Sequence, residues 1–397
     1  MIVSTAVTKF VSTIARLFQA TTSRCAVSVT VGWLLLASQS NGQATFTPLG
    51  VFGGTESIAT DVSGEGSVVV GKVRLSGATF AAFRWTSSES MLHEGLASDS
   101  VAVSADGAVV VGGYLSPSLQ AFRWPGGGAF QGLGDLPGGV FRSSATDVSA
   151  NGSVIVGFGT TADGPEAFRW TAATGMVGIG SLDGGESSAS SVSTDGSVVV
   201  GGTIASPPLG SQGFRWTPTG GMVALPRPPG AVTSGARKVS ADGAVVVGFN
   251  QFSLNDTEAF RWTERDGMIG LGDLPGGRRI SEAYDVSADG SVIVGMSENQ
   301  DGRKAFYWTR QTGMLNLEDL LVSFGANNLD GWLLIEAQGV SSDGFTVAGR
   351  GVHNGREEAW VATIPEPSTL ILATIAILLL LTLYRRHQLP IPSIRGK

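Results

Sequence analysis

Few side chains in this 397-residue sequence stand at a spacing that supports chemistry. His93 and His353 have no partner at zinc-site spacing and read as exposed loop residues. The single cysteine, Cys25, falls in an N-terminal segment that reads as removable, so neither disulfide nor thiolate chemistry is expected of the mature chain. Asp106, Asp195, Asp242, Asp289 and Asp343 each precede a glycine. Each offers one carboxylate where calcium gathers about six to eight oxygens, so these pairs read as hairpin turns. A serine recurs at 63, 104, 149, 193, 240, 287 and 341, with no G-x-S-x-G around any copy. A nucleophile seldom recurs in this way, and the hydroxyl reads as a turn cap. Gly132-Leu133-Gly134 and Gly270-Leu271-Gly272 open like a phosphate-binding loop, but Pro137 and Pro275 replace the third glycine and no helix pattern follows.

Paired carboxylates remain the one enzymatic option, because carboxylates converging on a central channel can cleave glycosides. Glu258, Asp285 and Glu358 are candidates without distinguishing context, so no catalytic residue, metal or cofactor is assigned and a non-enzymatic protein is expected. A repeated arginine (Arg84, Arg123, Arg169, Arg215, Arg261) alternates with Phe and Trp. It reads as an ion pair between units, or a guanidinium stacked on a ring.

The elements that position these residues come from a repeat. The unit V-S-x-D-G-S-V-V-V-G, A-F-R-W-T, G-M-x-x-L-G-x-L-P-G-G recurs seven times between Phe46 and Thr363, anchored at Trp85, Trp124, Trp170, Trp216, Trp262, Trp308 and Trp360. The steps are 39, 46, 46, 46, 46 and 52 residues, a period that signals a repeat architecture. In the unit from Ser281 to Gly325, strands are expected at 283–287, 291–295 and 305–309, with a fourth beginning at Gly313. The spacing predicts an all-β fold: a seven-bladed β-propeller of about 46-residue repeats. Tryptophans flanked by Ala and Phe read as core rather than as sugar-stacking platforms. The last unit ends at Thr363 without its fourth strand, while Phe46–Gly54 matches that strand, so an N-terminal strand is expected to close the ring. The first unit is weaker, because Met91–Asp99 lacks the Pro-Gly-Gly ending.

The units resemble the extracellular repeat of the HAF family, named for His-Ala-Phe before the tryptophan. Ala-Phe is kept at 82–83, 121–122, 167–168, 259–260 and 305–306, with Gly213-Phe214 and Ala359-Trp360 as variants. The histidine position holds Ala81, Gln120, Glu166, Gln212, Glu258, Lys304 and Glu358 instead. The resemblance implies secreted repeat proteins and no particular activity.

Both termini read as addresses. Residues 1–44 have the basic, apolar and small-residue regions of a signal peptide. Pro365-Glu366-Pro367, an uncharged stretch 370–384 and Arg385-Arg386 resemble the PEP-CTERM sorting signal of Gram-negative bacteria. That resemblance implies a transmembrane helix over 370–384 with a basic tail 385–397, transient or retained inner-membrane anchoring, and processing by an exosortase-type enzyme. The expected domains are therefore 1–44, the propeller 45–363 and a sorting segment 364–397. Between residues 45 and 364, 19 Lys and Arg face 32 Asp and Glu, a net charge of −13. This disfavours nucleic acid as a partner. The expected function is a secreted or cell-surface interaction or scaffold module of the extracellular matrix, with exopolysaccharide or surface proteins as partners. The alternatives are a carbohydrate-binding lectin-like propeller and, behind it, a glycan-cleaving enzyme.

Overall fold

The repeated Ser-x-Asp-Gly segment folds into a tight turn in every unit, and the strands grow from it. Gly107 has φ 70° and its six counterparts lie between 70° and 84°, a region that glycine enters without steric cost. The repeated serine Oγ accepts from the N–H five residues on, at 2.9–3.0 Å in all seven copies. It also donates to Asp106, Asp195, Asp242, Asp289 and Asp343 in their turns. The serines are therefore turn caps.

The computed structural model describes residues 42–75, 80–93, 101–115, 118–125, 129–204 and 210–366. Residues 1–41, the apolar stretch 370–384, and Pro367, Arg385 and Arg386 lie outside the described residues; Pro365 and Glu366 lie within them, in no strand or helix. Among the described residues no helix is long and apolar enough to cross a membrane.

Strand β1 (Thr45–Gly50) comes first. Groups of four follow: β2 (Glu56–Val62), β3 (Val68–Arg74), β4 (Phe80–Thr86) and β5 (Ser90–His93); then β6 (Val101–Val103), β7 (Val109–Leu115), β8 (Leu119–Pro125) and β9 (Gln131–Gly132). Next come β10 (Ser144–Val148), β11 (Val154–Thr161), β12 (Gly164–Thr171) and β13 (Gly175–Gly178); then β14 (Glu186–Val192), β15 (Val199–Ile204), β16 (Ser211–Thr217) and β17 (Gly221–Ala224). They are followed by β18 (Thr233–Val239), β19 (Val245–Ser253), β20 (Asp256–Thr263) and β21 (Gly267–Gly270), and by β22 (Gly276–Val286), β23 (Val292–Asn299), β24 (Gly302–Thr309) and β25 (Gly313–Asn316). A helix that the repeat does not predict, α1 (Leu317–Ser323), precedes β26 (Trp332–Val340), β27 (Thr346–His353) and β28 (Arg356–Thr363). Asn316 caps it by accepting from Glu318 N–H at 2.9 Å, and Leu317 and Leu321 bury its inner face.

Within each group the strands pair antiparallel in sequence order; a single parallel bridge, Thr257↔Ile280, joins the fifth and sixth groups. The last group takes its fourth strand from the other end of the chain. β1 pairs with β28 through Thr45↔Thr363, Phe46↔Ala362 and Thr47↔Val361.

The valine runs and the phenylalanines are buried between groups rather than within them. Phe83, Phe122, Phe168, Phe214, Phe260 and Phe306 are all fully buried. One cluster joins Val109 and Val111 of β7 to Ala145, Ile155 and Phe168 of the next group; another joins Ala59 and Phe83 to Ala348, Val361 and Leu49. The glycine ending each V-V-V-G run is what lets the ring in. A Cβ on Gly71 would lie 2.6 Å from Phe83 Cε1 and 2.0 Å from the carbonyl of Ile58.

The first strands of successive groups touch in a cycle, β2, β6, β10, β14, β18, β22, β26 and back to β2. The turns form a matching belt: Ala105 N–H donates to Ala150 at 3.1 Å, Ala288 N–H to Ser342 at 3.1 Å, and Ser342 N–H to Gly64 at 2.9 Å. Together these contacts make the described chain a β-propeller.

Phe46 sits at the closure, 4% exposed and packed edge-on against Trp332 at 5.1 Å. Phe46→Ala should lower the unfolding free energy by about 3–5 kcal/mol, as for a core phenylalanine. Urea denaturation measures it, and a loss below about 1 kcal/mol would mean that β1 is a dispensable edge.

Candidate functional site: the central channel

The residues lining the channel are chosen by a bulge. In β2, β10, β14, β18, β22 and β26 the pairing shifts register just before the Val-Ser of the repeat, with Thr60, Thr146, Ser190, Arg237, Tyr284 and Gln338 as the extra residue. A bulge breaks the two-residue alternation, so two consecutive side chains serve one surface. Thr60 and Asp61 both line the channel, as do Arg237 and Lys238. The alanine before the bulge (Ala59, Ala145, Ala189, Ala236, Ala283, Ala337) packs into the core instead.

Two stacked layers result. The deeper holds Asp61, Asp147, Lys238 and Asp285, above a narrow cavity of ≈ 100 Å³ ringed by the turns. The outer layer opens into a funnel of ≈ 680 Å³, whose lining includes Lys72, Arg237, Tyr284, Glu336, Gln338 and Arg350. Asp61 and Lys238 border both.

The deep carboxylates are latches across the seams. Asp61 accepts from Val62 N–H and, in the next group, from Val103 N–H, both at 2.9 Å. Asp285 accepts from Val286 at 2.8 Å and across the seam from Val340 at 2.7 Å. Asp147 accepts from Val192 N–H at 3.0 Å and from Lys238 Nζ at 3.3 Å. Ser191 does the same work with its hydroxyl, accepting from Val239 at 3.3 Å.

These charges are buried at a cost. Burial pushes the carboxyl of Asp285 up to about 7, against the opposing pull of Lys238. Asp61 is raised for the same reason, and the charge of Asp147 adds to the shift. Burial also works against the Lys238 ammonium, but Asp147, Asp61 and Asp285 together outweigh it and hold its pKa above the ordinary lysine value. The three carboxylates thus favour the charged form of Lys238. In the funnel wall, Glu336 accepts both from Arg350 Nε at 2.9 Å and Nη2 at 2.7 Å, and from Gln338 at 2.6 Å.

Of the carboxylates singled out in the sequence, only Asp285 reaches the channel. Glu258 lies 3.8 Å from Arg279, and Glu358 lies 3.8 Å from His353. His353 is no bare loop residue, since it stacks on Trp332 at 4.8 Å and 7°. Among the described residues no three His, Cys, Asp or Glu are placed to hold a metal ion. Three of the repeated arginines serve the seams in another way: Arg84, Arg169 and Arg215 donate to the turn carbonyls of Gly107, Gly196 and Gly243 in the next group, as Tyr307 does to Gly344, while Arg261 lies 3.9 Å from Asp266 of its own group. Trp124 and Trp170 are buried, while Trp85, Trp216, Trp262 and Trp308 are half-buried.

Trp360 differs from the other anchors. It pairs with Gly349, as Phe306 pairs with Gly295, so it occupies the phenylalanine place and Ala362 that of tryptophan. The reason is β1: in four other groups the tryptophan faces a methionine, as in Trp308↔Met314, whereas Ala362 faces Phe46. The fourth strand brings the bulk, and the third makes room. Sequence reading also missed the deep Asp and Lys layer, although its signal was present. Asp61, Asp147, Lys238 and Asp285 all immediately precede Val-Ser, in strands that otherwise read as buried.

No protein-family model matches the sequence, and no curated protein matches it. Among solved structures, the chain is similar to one from a structural and mechanistic analysis of two prolyl endopeptidases, at 10% identity and a TM-score of 0.51, covering 80% of this chain and 51% of that one. It is also similar to TolB from Acinetobacter baumannii, at 12% identity and a TM-score of 0.44, covering 66% of this chain and 62% of that one. The chain thus spans less than two thirds of either. The first likeness agrees with the propeller fold and speaks to fold alone.

Two outcomes follow for the deep layer. Lys238→Met leaves three carboxylates without their cation and should destabilise the protein by about 3–5 kcal/mol. Because the folded-state pKa of Asp285 is raised, its contribution to stability is full below the unfolded carboxyl value and lost as pH rises through about 7. Urea denaturation should therefore show wild type losing stability relative to Asp285→Asn between about pH 5 and pH 8. Parallel pH profiles would contradict the assignment.

Proposed function

We propose that the protein is an exported, seven-bladed β-propeller that acts by binding, as an interaction or scaffold module at the cell surface or in the extracellular matrix. The blade count rests on the seven groups of four strands and on the cycle of contacts between their first strands.

The observation that carries the binding role is where the exposed apolar side chains lie. In an antiparallel group the connection between groups and the hairpin joining second to third strand fall at one end, where the first strand begins. That is the funnel end. Val140, Phe141, Val232, Leu254 and Phe324 are large, exposed and in those connections, and Leu115 ends β7 beside one, with Val140 82% and Leu254 92% accessible. Among the described residues, the Ser-x-Asp-Gly turns at the narrow end expose no large apolar side chain. A rim of this kind around one opening is the mark of a docking face.

Export is supported by the signal-like residues 1–44 and by the resemblance of Pro365-Glu366-Pro367, 370–384 and Arg385-Arg386 to a PEP-CTERM tail. On this reading an exosortase-type enzyme processes the tail in a Gram-negative cell, and the propeller is released to the surface or into exopolysaccharide. A lectin-like role is the second reading, favoured by the hydroxyl groups of Thr60, Thr146, Ser188, Ser190 and Tyr284 around the funnel. Glycan cleavage ranks last, because both oxygens of Asp61 and of Asp285 are already held by backbone N–H groups.

The test is fractionation of the producing cells. Intact protein mass should lack residues 370–384, and the protein should travel with the surface or exopolysaccharide fraction. Val140→Asp and Leu254→Asp should release it while altering stability by no more than about 0.5 kcal/mol. Val223→Asp, an exposed site on the outer strand β17, should not release it. Retention of both rim variants would refute the docking face, and a mature protein carrying 370–384 would refute processing.

A further inference from the structure

The funnel holds hydrogen-bond donors that the fold does not use. Lys238 donates to Asp147 alone, at 3.3 Å, which leaves two of its three N–H groups uncommitted. Arg237 donates to Glu282 through Nη2 at 3.1 Å and lies over the rings of Phe249 and Tyr284 at 5.0 and 6.0 Å, and among the described residues the rest of its fork makes no hydrogen bond. The hydroxyls of Ser190 and Tyr284 make none either, although both line the funnel. These four side chains come from three consecutive first strands, β14, β18 and β22. Three of them, Ser190, Arg237 and Tyr284, are the bulge residues of those strands. Among the described residues six repeats share the bulge, and only this sector fills it with a cation beside two hydroxyls that make no hydrogen bond.

Charge narrows the class of ligand. Lys72, Arg237, Lys238 and Arg350 face Asp61 and Glu336 around the funnel, an excess of cations within a domain of net charge −13. Directly beneath lie Asp147 and Asp285. A polyanion reaching into the funnel would meet that acidic floor, whereas one negative charge can stop at the Arg237–Lys238 level. Neutral donors and the acceptor oxygens of Gln338 and Glu336 suit hydroxyl groups on the same ligand. A cavity of ≈ 680 Å³ has room for one or two sugar rings.

We propose that the funnel binds a hydroxylated monocarboxylate of the uronate class, its carboxylate between Arg237 and Lys238 and its hydroxyls on Ser190 and Tyr284. This site is independent of the apolar rim and would stand if the rim bound nothing. The ligand can be a free sugar acid or the terminal residue of an acidic polysaccharide.

Calorimetric titration of the folded protein with glucuronate, glucose, inorganic phosphate and a short oligoglucuronide tests the proposal. Glucuronate should bind at least about tenfold more tightly than glucose, since the difference is a charge-assisted hydrogen bond. Phosphate should bind more weakly than glucuronate. Oligoglucuronide binding more tightly than the monosaccharide would identify a polymer end as the ligand, and equal affinities a free sugar acid. Arg237→Gln should remove the preference for glucuronate over glucose. Tyr284→Phe removes only a hydroxyl that the fold leaves unbonded, and should weaken glucuronate about three- to tenfold with unfolding unchanged. Leu254→Asp should leave glucuronate binding intact, which separates this site from the rim. Equal affinity for glucose and glucuronate, tighter phosphate binding, no binding by folded wild type, or full affinity in Tyr284→Phe would each overturn the proposal.

Discussion

Each four-stranded group is too thin to bury its own apolar faces, and everything else in the fold answers that constraint. Val69, Val110, Ile155, Val199, Val246 and Ile293 reach zero exposure because a neighbouring group covers them. A row of such groups leaves two faces wet; a ring leaves none. The final seam is therefore worth as much as any other, and it is made by the same devices. Gly66 packs against Thr346 as Gly107 packs against Val68. Ala359 N–H donates to Ser57 at 2.8 Å as Ala167 N–H donates to Ser187 at 2.9 Å. Strand β1 completes the last sheet from the opposite end of the domain, so opening the ring requires breaking a sheet as well as a seam.

The channel carries the cost of this closure. Where first strands crowd together, backbone N–H groups at the seams need acceptors, and aspartate supplies two oxygens at the right height. Three buried carboxylates close together would repel one another, and Lys238 is the counter-ion that holds them. Such an arrangement seldom adds net stability over an apolar core, because desolvation consumes much of the Coulomb gain. What it does supply is register. A slip of one residue in β2 or β22 would remove Asp61 or Asp285 from the N–H group it meets across the seam.

Periodicity made most of the architecture legible from sequence. The Asp-Gly turns, the Val runs and the offset of Phe46–Gly54 name the strands, their order and the closing pair, because each has a local cause. What stayed hidden depends on contacts between units. The bulge is set by how the first strands crowd the axis, and no turn residue marks it. Where Trp308 faces Met314, Ala362 faces Phe46, which moves the aromatic ring to a strand at the opposite end of the domain sequence. Read along one strand, Trp360 passes for the recurring tryptophan; read across the pair, it is the phenylalanine. The helix α1 sits where the other described linkers between groups have no helix, with its cap at Asn316 as the one local sign.

The two openings of the channel have been put to different uses, and this difference bears on function more than the fold does. At the narrow end the backbone spends its polar groups on itself: the turn N–H groups, the serine hydroxyls and the Asp-Gly carboxylates all have partners within the belt. Hydrogen bonds from Ser104, Ser197 and Ser240 hold the carboxyls of Asp106, Asp195 and Asp242 below the ordinary carboxylate range, as expected of acceptors that are already occupied. At the wide end the bulge re-aims side chains away from the sheet, and among the described residues the hydroxyls of Ser190 and Tyr284 make no hydrogen bond. Repeats that were only structural would fill that position alike. Instead it holds threonine twice, and then serine, arginine, tyrosine and glutamine. Variation around this ring is what a repeated frame needs in order to bind an asymmetric ligand. The deep carboxylates Asp61 and Asp285 are pinned to the seams beneath, with both oxygens of each held by backbone N–H groups.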